Sequence, residues 1–101
     1  MSMTQTTKDS LKHQIVDCLR PATEIQKIVV FGSFNSSDSP NDMDVAIFVD
    51  CDTGYLPLAL KFRKMTRSIG REIALDIIPI RSGATGMFAD EIARGEVIYE
   101  R

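Results

Sequence analysis

The sequence predicts an α/β (α+β) fold, a small mixed β-sheet with helices packed against it. Three runs of β-branched and aromatic residues have the composition of strands, and each is bounded by glycine, proline or turn-forming residues. Only a turn separates the first two runs, so their strands should pair antiparallel. A stretch with helical periodicity separates the second run from the third, so these two strands should be parallel, with a right-handed crossover.

The chain is predicted to begin with a helix. Residues 1–6 are polar and are expected to form a flexible tail. Thr6 or Thr7 is predicted to cap a helix that runs to about residue 19, before Pro21. Apolar residues recur at helical spacing within it, and its buried face is predicted to consist of Leu11, Ile15, Cys18 and Leu19.

The remaining elements are bounded by glycines and turn-forming residues. The longest of them should be a helix that ends at Gly70, a C-cap residue, and buries Leu58, Phe62, Met65 and Ile69. In chain order, we predict a strand over residues 27–31, a turn over 35–41, a strand over 43–49, a helix over 58–69, a strand over 73–80, a loop over 83–86, a short helix over 87–94 and a strand over 96–99.

Length and composition indicate a single small domain over residues 1–101. The net charge is −2, so no basic surface indicates a nucleic-acid partner. Neither cysteine belongs to a metal-binding pattern, and both are expected to be reduced thiols. No apolar run is long enough to span a membrane, and the N-terminus lacks the apolar segment of a signal peptide, so we expect a cytoplasmic location and no membrane contact.

Small and acidic residues should meet at one edge of the predicted sheet. Gly32 and Ser33 follow the first strand, and antiparallel pairing brings them to the edge where Asp42 and Asp44 begin the second. Asp76 lies in the first half of the third strand, which starts at the same edge. Asp42 and Asp44 point to one face, roughly 7 Å apart along the strand. Carboxylates that converge in this way repel one another unless a divalent cation lies between them.

Each part of this set also has a structural interpretation. Gly32 could simply end a strand at a tight turn, and acidic residues at the start of a strand are common. Asp76 is flanked by apolar residues, where a carboxylate is costly to desolvate unless it is paired or coordinated. Asp76 is therefore predicted either to pair with Arg71 or Lys27, or to bind a metal ion and accept a proton from an attacking hydroxyl.

Together, Gly32-Ser33, an eight-residue spacer, Asp42-Met43-Asp44 and Asp76 resemble the signature of the polymerase-β-like nucleotidyltransferases. Residues 70–73, which lead into the strand of Asp76, and residues 91–99 are similar to the minimal nucleotidyltransferase branch of that superfamily. The similarity extends over residues 28–99. It implies that the predicted sheet has the palm fold of polymerase β.

The resemblance also implies metal-dependent transfer of a nucleoside monophosphate, expected to be AMP from ATP, to an acceptor hydroxyl. Gly32 and Ser33 would bind the triphosphate. Asp42, Asp44 and Asp76 would be the catalytic residues and would bind two Mg²⁺ ions, with Mn²⁺ as an alternative. Members of this branch act with a helical HEPN-domain partner, and some transfer AMP to a tyrosine on that partner as antitoxins.

Two features differ from the usual pattern of this branch. The loop between Ser33 and Asp42 is about two residues shorter, and Phe34, Asn35 and Ser36 stand where an arginine commonly follows the serine. Without that cation, charge on the phosphates is less well stabilised. The alternative function is therefore a nucleotidyltransferase-like module that binds nucleotide or a helical partner with little or no turnover.

Two further alternatives belong to other classes of protein. A phosphatase of the haloacid type also uses a pair of aspartates, but at the C-terminal end of a strand rather than at its start. A purely structural subunit is consistent with the nearly continuous apolar strands over residues 29–31 and 45–49, which indicate that both sheet faces are covered. The few predicted helices would not suffice to cover both faces, so we expect a homodimer or a helical partner.

Overall fold

The computed structural model describes residues 3–81 and 89–101. The elements, in chain order, are α1 (Gln5–Leu19), β1 (Ile25–Phe31), a 3₁₀ turn (Gly32–Phe34), β2 (Asp42–Val49), α2 (Tyr55–Met65), α3 (Arg67–Gly70), β3 (Ala74–Arg81), α4 (Ala89–Ala93) and β4 (Glu96–Glu100). The predicted loop over residues 83–86 and the first two residues of the predicted helix over 87–94 lie outside the described residues. Within the described ranges, no helix is both long and apolar enough to cross a bilayer.

The described strands form one mixed sheet in the order β3-β2-β1-β4. β1 is antiparallel to β2, and β2 is parallel to β3, as the lengths of the two connections predict. β4 returns antiparallel to β1 on its other side, a pairing that sequence spacing alone did not indicate. The sheet therefore brings the end of β1 and the beginnings of β2 and β3 to one edge.

The main core lies between one sheet face and the helices α1 and α2. The predicted apolar face of α1 is confirmed, with Leu11, Ile15 and Leu19 buried and Cys18 partly buried. Burial of such side chains is the principal favourable contribution to folding. The other core residues come from strands and from α2 and its surroundings, and they include Ile28, Val30, Met43, Val45, Ile47, Leu58, Phe62, Ile69 and Ile77.

The opposite sheet face carries a smaller apolar cluster. Val29, Phe31 and Ala46 are buried there, and Ile92 of α4 packs against them. Gly95 allows this close approach, because a Cβ on it would lie 2.7 Å from Val29 Cγ1 and 2.8 Å from Phe31 Cβ. The C-terminal segment is therefore pressed against β1, on the face that also carries the acidic residues described below.

Three predicted helix boundaries are wrong. Thr4, rather than Thr6 or Thr7, caps α1 by accepting a hydrogen bond from the Thr7 backbone N–H at 3.1 Å, so residues 5 and 6 belong to the helix and not to a tail. The helix predicted over 58–69 begins instead at Tyr55, because Pro57 is tolerated in a first helical turn. It also divides at Thr66, whose buried hydroxyl donates to the Phe62 carbonyl at 2.9 Å.

Candidate functional site

Gly32 connects β1 to the loop that precedes β2. Its φ of +77° is the only positive value among the described residues. A Cβ at this position would collide with the carboxylate of Asp44 and would lie 3.4 Å from its Cγ. From the sequence, Gly32 either ends a strand at a tight turn or lets a phosphate approach the backbone, whereas the structure shows that the Asp44 carboxylate on β2 already requires a glycine here. The glycine loop and the acidic strand are thus packed against each other.

The loop is folded back on Ser33. The Ser33 carbonyl accepts hydrogen bonds from the backbone N–H groups of Ser36 at 3.2 Å and Ser37 at 2.8 Å. The Asn35 Nδ2 donates to the Val30 carbonyl at 3.0 Å, which ties the loop to the end of β1. Ser33 itself is exposed, so the residue is accessible to a ligand.

Phe34 anchors the loop to α1. Its side chain is 1% exposed, and the Nζ atoms of Lys8 and Lys12 lie 5.8 and 5.9 Å from the centre of its ring. Both lysines have further partners: Lys8 donates to the Ser37 carbonyl, and Lys12 forms a 2.6 Å ion pair with Glu96 of β4. The residue that follows the Gly-Ser pair is therefore a core residue, and it holds the loop in place.

The structure brings the three predicted aspartates to one sheet face. Asp44 pairs in register with Phe31 on β1 and with Asp76 on β3. Residues in register on neighbouring strands point to the same face, and Asp42 points there too because it is two residues before Asp44. This face is the one that carries the smaller apolar cluster and Gly95. The placement expected from the strand order is therefore observed.

The structure contradicts the prediction that Asp76 is desolvated among apolar neighbours. Asp76 and Asp42 are exposed, and Asp44 is partly buried. The alternative of a structural ion pair also fails, because Asp76 pairs with neither Arg71 nor Lys27 within the described residues. The Lys27 Nζ lies over the Phe48 ring instead, 4.9 Å from its centre. Asp76 lies at the start of β3, where the chain emerges into solvent.

The carboxylates share a face, but their side chains are not gathered into a closed metal site. Within the described part of the chain, no group of three or more histidine, cysteine, aspartate or glutamate side chains is close enough to hold a metal ion. The available donors are carboxylate oxygens, the ligand type that magnesium prefers, and exposure leaves coordination positions for other oxygen ligands. This arrangement fits an ion that also takes ligands from a bound phosphate.

A cavity of about 330 Å³ opens beside the glycine loop. We call it the loop cavity; it is lined by Phe31, Gly32, Asn35, Ser36, Arg94 and Gly95. Of these residues only Gly32 was among the predicted site residues, and Asn35 and Arg94 are two of those that the sequence analysis did not identify. Asn35 shows no local signal beyond its place after Ser33. Arg94 is distant in sequence and reaches the loop only because β4 pairs with β1.

A family model described as Polymerase beta, Nucleotidyltransferase matches residues 13–101. Members of this family generally use divalent metal ions. Among curated proteins, no match was found.

The fold is similar to those of solved toxin–antitoxin structures. One, of tri-AMPylated Shewanella oneidensis HEPN toxin in complex with MNT antitoxin, has a TM-score of 0.68 and 18% identity, over 93% of this chain and 73% of that chain. A toxin–antitoxin with AMP-PNP has a TM-score of 0.69 and 19% identity, over 89% of this chain and 73% of that chain. The toxin–antitoxin MntA–HepT has a TM-score of 0.61 and 14% identity, over 92% of this chain and 73% of that chain. At these identities the similarity establishes the fold.

Proposed function

Because the chain belongs to the polymerase β nucleotidyltransferase family, we propose that it transfers AMP from ATP to an acceptor hydroxyl. The observation that carries the proposal is the register of Asp44 with Asp76, on the sheet face where Asp44 also packs against Gly32. This arrangement combines carboxylates with an exposed, glycine-containing loop. Transfer from a nucleoside triphosphate needs carboxylates that bind cations and backbone N–H groups that bind phosphate.

In this proposal Gly32 and Ser33 bind the triphosphate, and Asp42, Asp44 and Asp76 are the catalytic residues. The acceptor oxygen forms a bond to the α-phosphorus while the bond from that phosphorus to the bridging oxygen breaks, and pyrophosphate leaves. The proton of the acceptor hydroxyl passes to the Asp76 carboxylate, which is exposed and accessible to an incoming hydroxyl. Two Mg²⁺ ions held by the three aspartates, or Mn²⁺ in their place, would neutralise charge on the phosphates.

We propose a helical HEPN-type protein as the partner that carries the acceptor. The support is similarity to a structure in which an MNT antitoxin accompanies an AMPylated HEPN toxin. The exposed position of the acidic edge is compatible with an acceptor as large as a protein, since the described residues do not enclose it. A homodimer remains the alternative arrangement. We place the activity in the cytoplasm, where nucleoside triphosphates are abundant and the free thiols of Cys18 and Cys51 stay reduced.

The second candidate function is nucleotide binding without turnover. The observation that favours it is the loop itself, in which a buried Phe34 occupies a position where the family commonly has an arginine. Such a module would bind ATP with Mg²⁺ and would contact the same partner. It would not form a covalent bond between AMP and the acceptor.

Transfer of radiolabel distinguishes the two functions. The purified chain is incubated with α-³²P-labelled ATP, Mg²⁺ and a small helical protein encoded beside it, and label on that protein is measured. Asp76→Asn should reduce labelling at least about 100-fold, because a positioned proton acceptor contributes that much. Asp50→Asn is the matched control, since Asp50 is an exposed carboxylate just after the far end of β2. ATP binding with no labelling would favour the second function, and full labelling by Asp76→Asn would refute the role of Asp76.

A further inference from the structure

Among the described residues that line the loop cavity, one is cationic, Arg94. The side chain of Arg94 is exposed, and it forms no ion pair with any side chain that the structure describes. The nearest lysines on α1 are different. Both are buried, Lys8 donates to a loop carbonyl and Lys12 is paired with Glu96, so neither ammonium group is accessible to a ligand. Of the described cations around this loop, Arg94 is the one for which the structure shows no side-chain partner among residues 3–81 and 89–101.

The backbone positions Arg94 firmly. Its N–H donates to the Asp90 carbonyl at 3.3 Å, which closes the last turn of α4. The next residue, Gly95, is pressed against β1 so closely that a Cβ would lie 2.8 Å from the Val30 carbonyl oxygen. Because Val30 lies two residues before Gly32, the junction of α4 and β4 brings Arg94 beside the glycine loop.

The cavity also contains an unsatisfied polar group. The Asn35 Oδ1 is buried and has no hydrogen-bond partner in the described structure. The amide orientation is set, because Nδ2 donates to the Val30 carbonyl. A buried acceptor without a donor is unfavourable. Because that oxygen is enclosed by protein, the group of the loop cavity that is open to a ligand is the exposed Arg94 side chain, and a nucleoside triphosphate supplies the anion that a guanidinium binds.

We propose that Arg94 binds the phosphates of the nucleoside triphosphate in the loop cavity, and so replaces the arginine that the short loop after Ser33 lacks. This inference rests on the proposed function. The guanidinium suits the role because its planar N–H groups can donate to two phosphate oxygens at once. Arg94 is thus a substrate-binding residue supplied by the C-terminal segment rather than by the loop.

Nucleotide binding tests the inference separately from catalysis. Isothermal titration of the full chain uses Mg²⁺ with α,β-methylene-ATP, which cannot be cleaved at the reacting bond, and with AMP. Arg94→Gln should weaken binding of the triphosphate analogue about 10- to 100-fold, the usual effect of losing a hydrogen bond to a charged group. AMP lacks the β- and γ-phosphates, so its binding should change less than about twofold. Arg94→Lys should recover part of the loss.

The control is Arg67→Gln, on an exposed arginine of α3 that does not line the cavity. It should bind both nucleotides like the wild type. Unchanged binding of the analogue by Arg94→Gln, or equal loss of the analogue and AMP, would overturn the inference. If the wild type transfers label in the assay above while Arg94→Gln binds the analogue normally, only the role of Arg94 fails. If the wild type binds no nucleotide, the proposed function and this inference fail together.

Discussion

Replacing Gly32 by alanine should destabilise the protein for two separable reasons. The first is backbone conformation: φ at this position is +77°, and a residue with a Cβ in the left-handed region costs about 1–2 kcal/mol. The second is steric, because the new methyl group would collide with the Asp44 carboxylate. Asp44 would have to rotate away, which moves a proposed metal ligand.

Thermal unfolding of Gly32→Ala measures the two effects together. For a domain of this size, the conformational part alone, about 1–2 kcal/mol, corresponds to a fall in Tm of roughly 4–16 °C. Gly70→Ala is the matched control, since a Cβ there would meet nothing within 4 Å and Gly70 closes a helix. Alanine at such a position leaves stability unchanged or raises it by about 0.4–1 kcal/mol.

A double-mutant cycle with Asp44→Ala isolates the second effect. In that background the nearest remaining atom to the new Cβ is the Cβ of residue 44, at an ordinary 3.7 Å. Gly32→Ala should therefore cost less in the Asp44→Ala background than in the wild type, and only the conformational part should remain. Equal costs in the two backgrounds would refute the steric reasoning, and an unchanged Tm for Gly32→Ala would refute both parts.

Two further predictions follow from the site and its support. Free Mg²⁺ or Mn²⁺ at ten times its Kd should stabilise the wild type by about 1.4 kcal/mol and raise its Tm by several degrees. Asp44→Asn should remove most of this rise in Tm, whereas the control Asp50→Asn should keep it. If the Tm of the wild type does not respond at any metal concentration, the result argues against the metal site. Phe34→Ala should lower the free energy of unfolding, measured by urea titration, by about 3–5 kcal/mol because Phe34 is only 1% exposed. The control Leu56→Ala, at a residue 69% exposed, should change the free energy of unfolding by no more than about 0.5 kcal/mol. Similar losses for the two variants would show that Phe34 does not anchor the loop.

The arrangement of the acidic edge was predictable because it depends on local patterns and on the lengths of connections. β-branched runs mark β1, β2 and β3, a short turn allows only antiparallel pairing, and a helical connection implies a parallel pair. Once these pairings hold, Asp44 and Asp76 must lie near the end of β1. Their roles as metal ligands and catalytic residues stay predictions, which the variants above test.

The solvent exposure of Asp76 and the hydrogen bond of the Thr66 hydroxyl were less predictable from the sequence. The apolar neighbours of Asp76 in the sequence indicate a desolvated carboxylate. The structure shows instead that Asp76 is exposed, because β3 is an edge strand of the sheet and Asp76 lies near its start. The helix predicted as continuous divides at Thr66, because a side-chain hydroxyl competes for a backbone carbonyl. Neither outcome can be read from periodicity, which reports the average direction of side chains and not their solvent contact.

By itself, the sequence determined the strands, the direction of their first pairings and the edge at which Gly32, Asp42, Asp44 and Asp76 meet. Only the tertiary structure decided that Gly32 is required by the Asp44 carboxylate and that Arg94 lies beside the loop. The physical reason is the separation of the contacting residues along the chain. Hydrophobic periodicity and turn chemistry act over a few residues, whereas the pairing of β4 with β1 and the packing of Gly95 depend on contacts that form only when the whole sheet assembles.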